Sequence, residues 1–298
     1  MKKQWLFSGL LLSFLLFLSG CEPLTVFDPM GPQAALLKDV IWISIWTMLF
    51  VVVVVFVILI YILVKYRSTK TPSDYRPPIV KGNIWVEITT IGIPVLIIVF
   101  LSFVSVQSTY EAESVPKQFK DEEPMVIYAA SSNWKWHFSY PEEDIETVNY
   151  LFLPTDRPVE FRLYSFDAIS SFWIPQLAGQ KYAMTGMITT LNLAATEEGE
   201  MQGRNANFSG EGFAEQTFNV SAVSQKEFDE WVKEVKNTAE PLDEKTFNKL
   251  LEPGHLGQKT FSSTHLDFSP PPEEHGEMSE EEMKKEMEQE MEQEQSDH

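Results

Sequence analysis

Three long apolar runs fill the first third of the chain, and a polar, acidic remainder follows. Leu6 to Leu18 is the first run, preceded by Lys2 and Lys3 and closed by Ser19-Gly20-Cys21. A basic start, a short apolar stretch and a small-residue boundary predict a secretory signal over 1–20. The ending Leu-x-Gly-Cys resembles the lipobox of bacterial lipoproteins, which implies cleavage after Gly20 and a lipid on Cys21; an uncleaved first helix with an incidental cysteine is the alternative. The next run, Val40 to Val64, holds no charge. About 25 helical residues at roughly 1.5 Å each reach about 37 Å, enough to cross a hydrocarbon core near 30 Å. Ile88 to Gln107 predicts a second span, with Pro94 expected to kink it. Between the spans, Lys65, Arg67, Lys70, Arg76 and Lys81 oppose only Asp74. The positive-inside rule then puts the loop 65–83 in the cytoplasm and both chain ends outside. A helical hairpin over 39–110 follows an outside N-terminal segment, 21–38.

From Pro124 the period changes to that of strands. Short β-prone runs start at Pro124, Asn133, Thr147, Val159 and Thr217, separated by turn residues. They predict an all-β sandwich or Greek-key barrel within 120–268. Ser224 and Glu227 have capping-box spacing and open a helix to about Asn237, with Phe228, Trp231, Val232 and Val235 on one face. A short helix is expected from Asp243 to Leu251. The fold class is therefore a membrane-anchored α+β chain: a two-helix hairpin, an outside β domain and short C-terminal helices. Residues 269–298 read as an acidic low-complexity tail. Met283, Met287 and Met291 recur there every four residues. A thioether stripe for copper(I) is one reading of them, and a solvated tail is the other.

The net charge of −20 over 298 residues excludes a nucleic-acid-binding chain. Cys21 is the only cysteine, which rules out an internal disulfide and any cysteine-bridged metal centre in the β domain. Glu87 opens the second helix. A carboxylate at the inner edge of a span is a functional candidate, and an interfacial acid favoured by the helix dipole is the plain alternative.

The loop Asn205-Ala-Asn-Phe-Ser-Gly-Glu-Gly-Phe-Ala-Glu-Gln216 keeps the frame Cys-x-Glu-x-Cys-Gly-x-x-His-x-x-Met without its side chains. Read alone, it is also an ordinary Gly/Asn turn. That frame, the two spans, Trp134-Lys-Trp136-His-Phe-Ser-Tyr-Pro and Phe172-Trp-Ile-Pro175 resemble subunit II of the haem–copper oxidases. The resemblance covers roughly residues 18–270. It implies a cupredoxin fold. It maps copper-ligand positions onto Ser170, Asn205, Asn207, Ser209, Phe213 and Gln216, none of which is a thiolate or imidazole. The histidines at 137, 255, 265, 275 and 298 miss the ligand positions. The empty loop and Tyr140-Pro-Glu-Glu-Asp-Ile-Glu-Thr-Val-Asn149 resemble the quinol oxidase branch, and within it the menaquinol oxidases of Gram-positive bacteria. The resemblance then implies a cofactor-free subunit of a proton-pumping quinol oxidase. Haems and copper B would lie in subunit I, quinol would be the substrate, and small subunits III and IV further partners. Cytochrome c would not be a partner. Glu87 matches an acid at the mouth of a proton path, and Trp134 and Trp136 match aromatics near the subunit contact. Two alternatives are a cytochrome c oxidase subunit II and a non-catalytic lipoprotein module of the same fold.

Overall fold

The computed structural model describes residues 24–67 and 82–273. Cys21, most of the basic loop and the tail beyond 273 lie outside the described residues. The described chain divides into two units, one helical and one β-rich.

In the helical unit, α1 spans Pro32–Lys65 and α2 spans Ile84–Glu113. Pro32 takes the first helical position, where its missing N–H is no loss. The helix thus starts before the uncharged run that predicted it. Lys65 closes α1, its Nζ donating to Tyr61 Oη at 2.8 Å. Asn83 caps α2, its side chain accepting from the Trp85 N–H at 3.0 Å. The helical assignment runs through Pro94. Both helices are long and apolar enough to cross a membrane.

Among the described residues, the β unit holds eleven strands in two sheets. The first sheet orders β11 (Lys259–Phe261), β3 (Ile145–Val148), β2 (Lys135–Tyr140), β1 (Met125–Ser132), β5 (Pro158–Ser165) and β8 (Thr189–Ala194). The second orders β4 (Tyr150–Pro154), β10 (Thr217–Val223), β9 (Gly199–Asn205), β6 (Ser170–Trp173) and β7 (Lys181–Ala183). β1 runs parallel to β5 and β10 parallel to β4; the other pairs are antiparallel. Phe138, Phe161, Phe172 and Phe218 meet in the core, where the Phe172 and Phe218 rings stack at 5.2 Å.

β2 is buried on both faces. Trp136, Phe138 and Tyr140 enter the main core. Lys135, His137 and Ser139 alternate onto the outer face of the first sheet. That face is covered by a second cluster of Val148, Leu242, Phe247 and Leu250. The cluster draws on α4 (Glu244–Leu250), which follows α3 (Gln225–Thr238). In α3 the capping box of Ser224 and Glu227 is complete. Phe228 and Val235 are buried, with Trp231 and Val232 packed beside them, as the periodicity predicts.

Candidate functional site

Asn205 ends β9 and Gln216 precedes β10, so the loop between them is a hairpin connection whose ends the sheet fixes. The Asn205 N–H donates to the Gln216 carbonyl at 2.9 Å, closing its base. Gly210 stands at φ +99°, a conformation that glycine adopts without strain. Gly212 lies so close to the Trp134 indole that a Cβ there would enter the ring.

Trp134 and Asn133 form the two-residue turn between β1 and β2, both at positive φ. Such turns favour Asn and Gly. A tryptophan at φ +68° is strained, and its side chain is what holds it there. The indole N–H donates to the Ser209 carbonyl at 2.9 Å, and the ring covers Gly210 and Gly212.

Four of the six mapped positions meet in one buried network. The Asn205 amide donates to Gln216 Oε1 at 2.8 Å and to Ser209 Oγ at 3.1 Å. Its carbonyl oxygen accepts from the N–H groups of Ser171 at 2.7 Å and Asn207 at 2.9 Å. The Gln216 amide donates to Ser131 Oγ at 2.9 Å and Ser170 Oγ at 3.4 Å, and those hydroxyls lie 2.7 Å apart. Both amides therefore spend their donors and acceptors on neighbouring protein groups, as burial demands. A small cavity of about 90 Å³ opens beside them, lined by Ser131, Trp134, Asp167, Ser170, Ser209 and Gln216.

The other two mapped side chains stay out of the network. Asn207 turns outward and donates to the Ile169 carbonyl at 2.9 Å. The Phe213 ring packs 5.6 Å from Phe208, which is exposed. Trp136 has no exposed surface; it sits edge-on to Phe172 and Phe218 in this chain's own core. Its ring therefore meets no partner subunit directly. Glu87 lies in the first turn of α2, exposed, where the helix N-terminus favours an acid.

The structure adds groups that the sequence did not single out. Ser131 belongs to the network although it lies far upstream on β1. Lys135 is wholly buried and donates to the carbonyls of Asn133 (3.1 Å), Glu252 (2.7 Å) and Gly254 (3.0 Å). Burial pushes its pKa down, against the pull of Asp167. His137, Glu146 and His265 form a further buried cluster.

No family model matches the chain. The curated relatives are closer. Quinol oxidase subunit 2 of Bacillus subtilis (strain 168) is 48% identical over 276 residues, covering 92% of this chain and 84% of that protein. Quinol oxidase subunit 2 of Bacillus cereus (strain ATCC 14579) is 46% identical over 272 residues, covering 91% and 94%. Among solved structures, the periplasmic domain of subunit II of cytochrome oxidase from Bradyrhizobium japonicum aligns at 21% identity. Its TM-score is 0.38, and the match covers 42% of this chain and 98% of that domain.

Proposed function

This chain belongs to the quinol oxidase subunit 2 family, and on that premise we propose that it is the copper-free subunit II of a haem–copper oxidase fed by membrane quinol. It is a subunit of an oxidoreductase complex and has a subunit I partner. The observation that carries the copper-free reading is the saturated network of Asn205, Gln216, Ser131 and Ser170. A binuclear copper centre needs soft thiolates and imidazoles. Neutral amides and hydroxyls already bonded to one another do not fit it, and no electron step is routed through this domain.

The complex oxidises two quinols and reduces one dioxygen to two waters, taking its electrons inside the membrane. Menaquinol is the quinol that the Gram-positive likeness favours. Haems and copper B belong to subunit I, and small subunits III and IV complete the assembly. In this reading α1 and α2 anchor the chain beside subunit I, with the β domain on the outer side. Cys21 carries the lipid after cleavage of residues 1–20. Glu87 gathers protons at the cytoplasmic mouth of an uptake path of the pump.

The test is oxygen uptake by the purified complex, supplied with a short-chain quinol in one vessel and reduced cytochrome c in another. Uptake with quinol alone is expected, and turnover with cytochrome c overturns the reading. In the same assay, Glu87→Gln is expected to slow quinol turnover and proton uptake together. Wild-type rates in that variant would remove Glu87 from the proton path and leave the donor assignment standing.

A further inference from the structure

Glu146 on β3 has no exposed surface, and two imidazoles close on its carboxylate. His265 Nδ1 lies 2.6 Å from Oε2, and His137 Nδ1 lies 3.5 Å from Oε1. The outer ring nitrogens are engaged as well: Ser132 Oγ stands 2.7 Å from His137 Nε2, and Tyr164 Oη 2.6 Å from His265 Nε2. A chain of polar groups thus runs Ser132–His137–Glu146–His265–Tyr164 through the interior. With each hydroxyl donating to Nε2, His265 Nδ1–H donates to Oε2, while His137 Nδ1 faces Oε1 at 3.5 Å without forming a hydrogen bond. Glu146 then holds a buried negative charge beside the two imidazoles.

The charge has a structural task. β11 extends the first sheet beside β3, residues 262–268 continue over its outer face, and Asp144 and Glu146 bond to them from the β3 side. The Thr264 N–H donates to Asp144 Oδ1 at 3.2 Å, and the His265 N–H to Glu146 Oε2 at 2.9 Å. Ser139 Oγ adds a third bond to Oε2 at 3.2 Å. From α3, Lys236 Nζ reaches Asp144 Oδ2 and the Ser262 carbonyl, both at 3.0 Å. From α4, Phe247 stacks on the His265 ring at 4.4 Å and brings no charge. From β2, Lys135 is the remaining cation acting on His137. From β1, Tyr128 packs edge-on to Tyr164.

The geometry points to a proton-operated clasp: ionised Glu146, flanked by His137 and His265, locks residues 259–268 onto β3, and proton uptake by His137 and Glu146 releases them. The binding site is for a proton, and its readout is a local opening of the outer layer while the two-sheet core stays closed. Burial by itself pushes the Glu146 carboxyl up, but the two histidines outweigh it and bring it to about 2. Burial pushes His137 down against the opposing pull of Glu146. Both groups therefore hold protons less readily in the closed form than in an open, solvated one. The stabilisation is present above the ordinary histidine range, near 6.5. It begins to be lost as pH falls through that range, and the loss continues from an ordinary carboxylate value of about 4.3 toward 2.

Hydrogen–deuterium exchange of the purified full complex tests this, with rates corrected for the intrinsic pH dependence of amide exchange. Between pH 7.5 and 4, amides of 259–268 are expected to lose about tenfold or more of their protection while the β1–β5 ladder keeps its own. Tyr164→Phe keeps the ring but removes the hydroxyl from His265 Nε2; it is expected to raise exchange in 259–268 several-fold at pH 7.5. Glu146→Gln is expected to leave the segment weakly protected already at pH 7.5. Protection of 259–268 that does not change with pH overturns the clasp. So does loss of the segment and the β1–β5 ladder together, and so does unaltered exchange in Tyr164→Phe.

Discussion

Trp134 joins two facts that look unrelated in the sequence. Its backbone is strained at φ +68°, and its indole is bonded to Ser209 in a loop remote along the chain. Such strain persists only where the surroundings over-determine it; here the loop at 205–216 and the β1–β2 turn hold each other. Gln216 does the same for the interior, linking Asn205 to Ser131 and Ser170. Gln216→Leu conserves most of the volume but removes that link and leaves the Ser209 hydroxyl without its acceptor on Gln216. A loss of about 1–3 kcal/mol is expected for such a group, read as a lower denaturant midpoint at unchanged slope. On the proposed copper-free reading, quinol turnover should stay at the wild-type rate. The frame of this site was legible from the spacing of Asn205, Ser209, Gly210 and Gln216. Ser131 was not, because it enters through sheet pairing rather than through any local pattern. Nor was the pairing of Glu146 with His265, since a buried acid and a surface acid look alike in a polar stretch.

At the scale of elements, the signals that survived were those with a local mechanism. Ser224 and Glu227 make both bonds of the capping box, and α3 begins where they place it. Ser224→Ala is expected to destabilise the domain by about 1 kcal/mol, seen as a lower melting temperature of the purified complex. The strand pattern was less complete. The run from Thr147 to Leu153 reads as a single strand, yet Asn149 at φ +60° breaks it. β3 then stays in the first sheet while β4 crosses to the second. Apolar residues continue on both sides of the break, and a single left-handed asparagine leaves no mark on the hydrophobic pattern. β9 was unreadable for the opposite reason. Gly-Glu-Met-Gln-Gly-Arg-Asn carries little apolar signal and is a strand because β10 and β6 pair with it. Gly203 is needed there, since a Cβ would run into the Phe218 ring.

Across the whole molecule, hydropathy alone located both membrane-length helices and the change to β structure. Their ends moved because capping by Pro32 and Asn83, rather than hydrophobicity, sets where each helix starts. The outer layer of the β unit was the larger surprise. Lys135, His137 and Ser139 alternate like a solvent face, yet all three are buried beneath α4 and the C-terminal segment. Family membership rests on close relatives over nine-tenths of the chain. The proposed copper-free reading rests on the amide and hydroxyl chemistry of residues 205–216. The most direct measurement is the copper-to-haem ratio of the purified complex that contains this chain. A single copper per oxygen-reducing centre, all of it in subunit I, is the expected result. Two additional coppers per complex, with the absorption of a thiolate-bridged pair, would contradict it.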